Sequence, residues 1–182
     1  MIIQKRGVTS LINPLNFMKE IIKIDPAVGQ TSVWDFPNAP LVEAFNKNIR
    51  IYYKGLLIAD TWQAKRVLEK AHPPVYYIQL QDIQMHYLTP NREISFCAYK
   101  GKSSFFNLVV GSDTVTDVGW TYAKPTSKYV ELIGYIAFFA GKGCDCYVDD
   151  ELAIPQPSEF FGGWVTSDIV GPFKGGEGTW EW

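Results

Sequence analysis

The residue best suited to chemistry in this chain is His72, one of two histidines. Imidazole titrates near neutral pH without help, so His72 can act as a general acid, a general base or a ligand. It directly precedes Pro73-Pro74, so it can equally cap a helix end by bonding the free carbonyls there. His86, in QMHYL, reads as a surface or packing residue. Cys97 and Lys100 stand three residues apart, next to Gly101. A thiol near an ammonium can become reactive; the plainer reading of Cys97 is a buried structural residue. Lys100, at a turn beside a glycine amide, is placed to bind an anion.

Tyr76, Tyr77, Trp120 and Tyr122 are amphipathic aromatics, and Arg66, Asp82 and Lys100 are polar groups within the same motifs. Pockets are mostly apolar with a few convergent polar groups, and this set has that composition. The same aromatics can simply fill the core of a sheet. Asp149-Asp150-Glu151 is the densest acidic run, and phosphoryl transfer needs carboxylates that hold metal ions. Acidic runs are more often solvated faces, and this one reads as a strand end. No G-x-x-x-x-G-K-[ST] loop is present, and the glycines around Lys174 have the wrong spacing for one.

A structural zinc site usually takes four Cys or His ligands in paired spacings. Cys144 and Cys146 form one tight pair, and Cys97, His72 and His86 lie far away in sequence. No metal and no other cofactor is expected. Three cysteines are an odd number for a disulfide framework, so the chain reads as a protein of the reducing cytoplasm.

These residues need a scaffold, and the composition describes one. The chain has 182 residues, 47% hydrophobic and 20% charged, which suits one globular domain. Its 15% aromatic share favours half-buried pleated surfaces. The net charge of -2 comes without a long basic run, which argues against a nucleic-acid partner. No apolar stretch reaches the roughly 20 residues a membrane-spanning helix needs, so no membrane partner is expected. The first residues, MIIQKRGVTSLINPL, are too broken by charge, glycine and proline to read as a secretory signal.

Residues 1–48 read as an N-terminal extension. Asn13 and Pro14 can start a helix through LNFMKEIIKI that ends near Pro26, and TSVWDFPNAPLVEA reads as a packed loop. Residues 49–154 form the regular domain. It opens with a hairpin turning at Lys54-Gly55. The spacing of Ala64, Val67, Leu68 and Ala71 then predicts the main helix over 60–71, capped by Asp60 or Thr61. From Val75 onward, VYYI, DIQMHYL, EISFCAY, FFNLVV, TVTDVGWTY, IGYIAFFA and CDCYVDD read as short strands. Turns are expected at 89–91, 100–102, 111–113, 124–126 and 141–143. This is a mainly β, α+β pattern: an antiparallel meander folded into two layers or a small barrel. Residues 155–182 form a Gly- and aromatic-rich extension whose Phe160, Phe161, Trp164, Phe173, Trp180 and Trp182 need a surface to lie against. That surface is either its own domain or a second copy in a homodimer, and the meander is expected to fold without the tail.

Ala59-Asp60, Arg66, His72-Pro73-Pro74-Val75-Tyr76-Tyr77, Asp82-Ile83, Cys97-Ala98-Tyr99-Lys100-Gly101, Trp120-Thr121-Tyr122 with Pro125, and Gly134 to Phe139 occur in that order. On these motifs the stretch from Ile49 to Glu151 resembles a domain of unknown function, family four-two-seven, which also carries a nucleotidyltransferase label. The tail is similar to an extension of cyanobacterial members. The resemblance implies a β-tent-like fold, two antiparallel sheets leaning together with one helix, and no settled activity. Zinc-binding relatives of that fold use paired C-x-x-C motifs, which this chain lacks.

Two functional readings follow. In the first the domain binds a small molecule, with or without catalysis, in a polar and aromatic cleft. Its candidate contacts are Arg66, His72, Tyr76, Tyr77, Asp82, Cys97, Lys100, Trp120 and Tyr122. In the second the chain is a non-catalytic interaction module that uses its aromatic tail.

Overall fold

The computed structural model describes residues 21–182. The helix read at 14–25 lies mostly outside them, and Ile21–Ile24 have no regular structure. β1 (Thr31–Ser32) and β2 (Leu41–Phe45) precede the hairpin of β3 (Ile49–Tyr53) and β4 (Leu56–Thr61). β5 (Ala64–Leu68) and β6 (Val75–Gln79) lead to the long strands β7 (Leu88–Cys97), β8 (Gly101–Val110) and β9 (Asp113–Thr121). β10 (Tyr135–Phe138) and β11 (Asp145–Val148) follow. The rest holds four two-residue strands: β12 (Glu151–Leu152), β13 (Ile154–Pro155), β14 (Trp164–Val165) and β15 (Ile169–Val170).

Seven strands make one antiparallel sheet in the order β2-β5-β6-β10-β9-β8-β7, and β12-β11-β3-β4 make a smaller one. One core cluster joins the two sheets. It contains Ile49, Ile51 and Tyr53 of β3, Cys146 and Val148 of β11, and Tyr76, Ile78, Ile136 and Phe138 of the large sheet. Successive side chains of a strand leave opposite faces. Tyr77 and Ala137 therefore belong to a second cluster on the far face, with Val67, Trp120, Tyr122 and Phe139. That face is where the candidate site forms.

The hairpin at Lys54-Gly55 forms as expected, both residues having positive φ. The main helix does not: among the described residues the helical elements are three short 3-10 turns, Leu80–Asp82, Met85–Tyr87 and Ser127–Leu132. Residues 64–68 are instead β5, paired with β2 on one side and β6 on the other. Val67 and Leu68 are buried in different clusters on opposite faces. A strand covered on both sides imitates helical spacing over so short a run. The expected cap is used in a turn, where Thr61 Oγ1 accepts from the Gln63 N–H at 3.0 Å.

Three smaller expectations are also corrected. Residues 41–45 are a strand rather than loop. DIQMHYL is mostly 3-10 turns. Thr89-Pro90-Asn91 lies within β7, where the register shifts between Pro90 and Ile94. β7 is the sheet edge, so Pro90 sacrifices little by lacking an N–H there.

The tail lies on its own chain. β14 pairs with β13, and β15 pairs in parallel with β1. Trp164 is fully buried in the core that joins the two sheets, its Nε1 donating to the Phe138 carbonyl at 2.8 Å. Ile169, Phe173 and Trp182 pack with Val33, Trp34, Phe36, Leu68 and Ala71 in a third cluster.

Candidate functional site

On the far face of the large sheet, register aligns Lys65, Tyr77, Ala137, Trp120 and Phe105 across β5, β6, β10, β9 and β8. Ala137 is small, so the rings of Tyr77 and Trp120 meet across it, edge to face with centroids 6.3 Å apart. These rings floor a cavity of about 260 Å³. The β7–β8 turn supplies Cys97 and Lys100, the β5–β6 connection supplies Glu69 and His72, and the tail supplies Gln156, Phe160, Phe161 and Gly162.

The Lys100 side chain is only 9% exposed. Its turn is pinned by its own N–H, which donates to Cys97 Sγ at 3.5 Å, and by its carbonyl, which accepts from the Thr126 N–H at 3.2 Å. The ammonium lies 3.7 Å from Glu69 Oε2, within ion-pair range but beyond a hydrogen bond, and 6.0 Å from the Tyr122 ring centre. Burial pushes the Glu69 carboxyl above the usual range, although Lys100 and Lys174 both pull it down.

His72 is held by Gln156, whose amide orientation its partners determine. Gln156 Oε1 accepts from the Gly163 N–H at 3.1 Å, and Nε2 donates to the Lys174 carbonyl at 2.6 Å. Nε2 therefore faces His72 Nδ1, 3.0 Å away. An amide nitrogen only donates, so Nδ1 is the acceptor and the neutral ring carries its proton on Nε2. Burial first, and then Lys174, depress the imidazole to about 4, against the opposing Gln156 hydrogen bond. At neutral pH His72 is a hydrogen-bond donor through Nε2 and has no free basic nitrogen. Neither Lys100 Nζ nor His72 Nε2 has a hydrogen-bond acceptor within reach among the described residues. Burial also raises the phenols of Tyr77 and Tyr122, which stay neutral.

A family model described as Domain of unknown function (DUF427) matches residues 41–150. The chain belongs to this family. No curated protein matches it. The DUF427 region runs from β2 to just past β11, and it supplies Glu69, His72, Tyr77, Cys97, Lys100, Trp120 and Tyr122. Gln156, Phe160, Phe161 and Gly162 lie beyond the DUF427 match, so the tail completes a cavity whose floor belongs to the family domain.

Six residues selected from sequence thus surround one DUF427 cavity: His72, Tyr77, Cys97, Lys100, Trp120 and Tyr122. Arg66, Tyr76 and Asp82 do not reach it. Arg66 and Tyr76 are register partners, one residue out of phase with the cavity face. Arg66 Nε donates to Glu43 Oε1 at 2.9 Å, and Tyr76 packs between Phe45 and Trp164 in the core. Asp82 Oδ2 accepts from Thr61 Oγ1 at 2.6 Å in a separate shallow depression.

Nor does His72 cap a helix, since the element leading to it is the strand β5; it follows Ala71, whose φ is 66°. Cys144 and Cys146 are core residues, and burial pushes the Cys144 thiol up to about 12 and raises the Cys146 thiol well above the usual range. Asp149, Asp150 and Glu151 are engaged by Asn48, Arg50 and Ser167 at the β11–β12 turn. Sequence reasoning missed Glu69 because the helix reading of 60–71 rested on the apolar positions Ala64, Val67, Leu68 and Ala71 alone. It missed Gln156 because nothing local to that residue points to His72.

Proposed function

We propose that this DUF427 chain binds a small organic molecule in the cavity between Trp120 and the tail. The supporting observation is the buried Lys100 side chain, whose ammonium has no hydrogen bond among the described residues, together with the unengaged Nε2–H of His72, which lines the same cavity. Neither donor is sealed in the core, where an unmet polar group would be costly; each remains accessible to an acceptor. The aromatic walls supply the apolar contact that small-ligand sites use. His72 has Nδ1 occupied and a depressed pKa, which favours binding over base catalysis at this position. We also read the two sheets around their shared core as the tent-like arrangement of the family, and three free cysteines as a sign of the reducing cytoplasm.

The alternative, a partner surface built by the tail, has less support. Trp164, Phe173 and Trp182 pack within the chain and Phe161 lines the cavity, leaving Phe160 and Trp180 exposed. A thermal-shift screen of small neutral and charged ring compounds tests the binding reading, because a ligand that favours the folded state raises the melting temperature. Val75 lines the cavity, and Val75→Trp should fill it. Shifts seen in wild type and lost in Val75→Trp are expected. No shift from any compound, or shifts that persist in the filled variant, would overturn the reading.

A further inference from the structure

We propose that the ligand is a carboxylate monoanion on a single-ring apolar body, its head group seated on Lys100 Nζ and the His72 Nε2–H. The inference rests on the cavity being a ligand site. It names the chemistry that site selects.

The charges decide the head group. Among the described residues Lys100 and Glu69 are the charged ones lining the cavity, and Lys174, outside the lining, lies within electrostatic reach of Glu69 and His72. Lys174 Nζ already donates to the Trp182 oxygen at 2.6 Å, so among the described residues the cavity-lining cation left without a hydrogen-bond acceptor is Lys100, and an anion would supply one. The donors agree. An ammonium carries three N–H groups, and this one has only a loose ion pair at 3.7 Å. Imidazole Nε2–H accepts nothing and asks for an acceptor. A cationic ligand would meet the Lys100 ammonium, and a neutral one would leave that ammonium with only its loose ion pair to Glu69.

The same groups argue against a phosphate dianion. Glu69 would repel the second charge, and among the described residues no arginine lines the cavity to grip a phosphate with two parallel bonds and no glycine-rich turn presents a row of amides. A carboxylate needs only two or three donors, which is what the cavity offers. The body follows from the walls and the volume. Tyr77, Phe105, Trp120, Phe139 and Phe161 present rings, and a ring lying among them gains edge and face contacts. At about 260 Å³ the space falls below the usual range of roughly 300–1,000 Å³ for drug-sized ligands, which fits one ring system. Glu69 is then the internal rival of the ligand for Lys100.

The test is calorimetric titration of the full chain at pH 7.5 with 3-phenylpropanoate and with its neutral isostere 3-phenylpropanamide. We expect the acid to bind at least tenfold more tightly than the amide. Lys100→Met should abolish that preference. Glu69→Gln should strengthen binding of the acid and leave the amide unchanged. If Lys100→Met fails to fold, the acid-to-amide ratio in wild type and the Glu69→Gln effect still decide. Equal or tighter binding of the amide would overturn the anion assignment and leave the cavity reading standing. The anion assignment also falls if neither compound binds while neutral ring compounds do. No binding by any ring compound, charged or neutral, would overturn both.

Discussion

Gln156 donates a hydrogen bond across 3.0 Å to Nδ1 of His72, a residue 84 positions earlier in the chain. The contact ties the tail to the DUF427 domain and sets the histidine tautomer. Protonation of His72 is costly for a different reason: the ring sits in a desolvated wall, near Lys174 and Lys100.

Stability should therefore fall as the medium is acidified. His72 drops from an ordinary 6.5 to about 4 in the folded chain, so between those values the unfolded chain binds the extra proton. More protons on the unfolded chain means stability lost as pH falls through this window, by about 3 kcal/mol in total for the histidine. Glu69 is shifted upward and acts in the opposite direction above its ordinary value. Subtracting a His72→Gln variant isolates the histidine. The wild-type advantage over that variant, from urea denaturation, should shrink by roughly this amount between pH 7.5 and pH 4. A constant difference would mean that His72 is solvated.

Trp164→Ala should destabilise the chain by about 3–5 kcal/mol, the range for large aromatic truncations in a core. The residue is fully buried among Tyr76 and Phe138 and holds the Phe138 carbonyl. For the same reason, deleting residues 158–182 should unfold the protein, contrary to a reading of the meander as self-sufficient. Circular dichroism of the truncated chain checks this, and a native spectrum with an unchanged melting temperature would refute it.

Gly162 lies against the Trp120 ring. A β-carbon there would overlap Trp120 Cη2, approach Cζ3 to 2.7 Å and reach Phe139 at 3.1 Å. Both rings belong to packed walls and cannot swing aside freely. Gly162→Ala should cost about 1–3 kcal/mol, as overpacking does. It should also narrow the cavity, so that compounds raising the wild-type melting temperature lose that effect. Unaltered shifts would show that the Gly162 segment moves away at little cost.

One thiol should react in the native protein. Cys97 is half-buried at the cavity wall, whereas Cys144 and Cys146 are buried core residues whose thiols burial keeps protonated. Mass spectrometry after brief treatment with N-ethylmaleimide should find a single adduct on Cys97. 3-Phenylpropanoate should slow the labelling. An adduct on Cys144 or Cys146 first would contradict the placement.

Local signals are legible in the sequence itself. Lys54-Gly55 marks its turn because two successive positive φ values suit a glycine-containing pair in a hairpin. VYYI, FFNLVV and TVTDVGWTY announce strands by β-branched and aromatic content. Strand geometry alone also requires that Tyr76 and Tyr77 leave opposite faces, so both could not line one site. Which face holds the cavity was a tertiary decision, because only the second sheet and the tail determine what each face meets: Tyr76 meets Trp164 and Tyr77 meets Trp120. The segment 64–68 became a strand for a similar reason. Helical preference is a matter of tenths of a kcal/mol per residue, and pairing with β2 and β6 outweighed it. His72, Cys97, Lys100 and Trp120 could be chosen by residue type. Their meeting, and the role of Gln156, depend on contacts between distant parts of the chain, which no local pattern encodes.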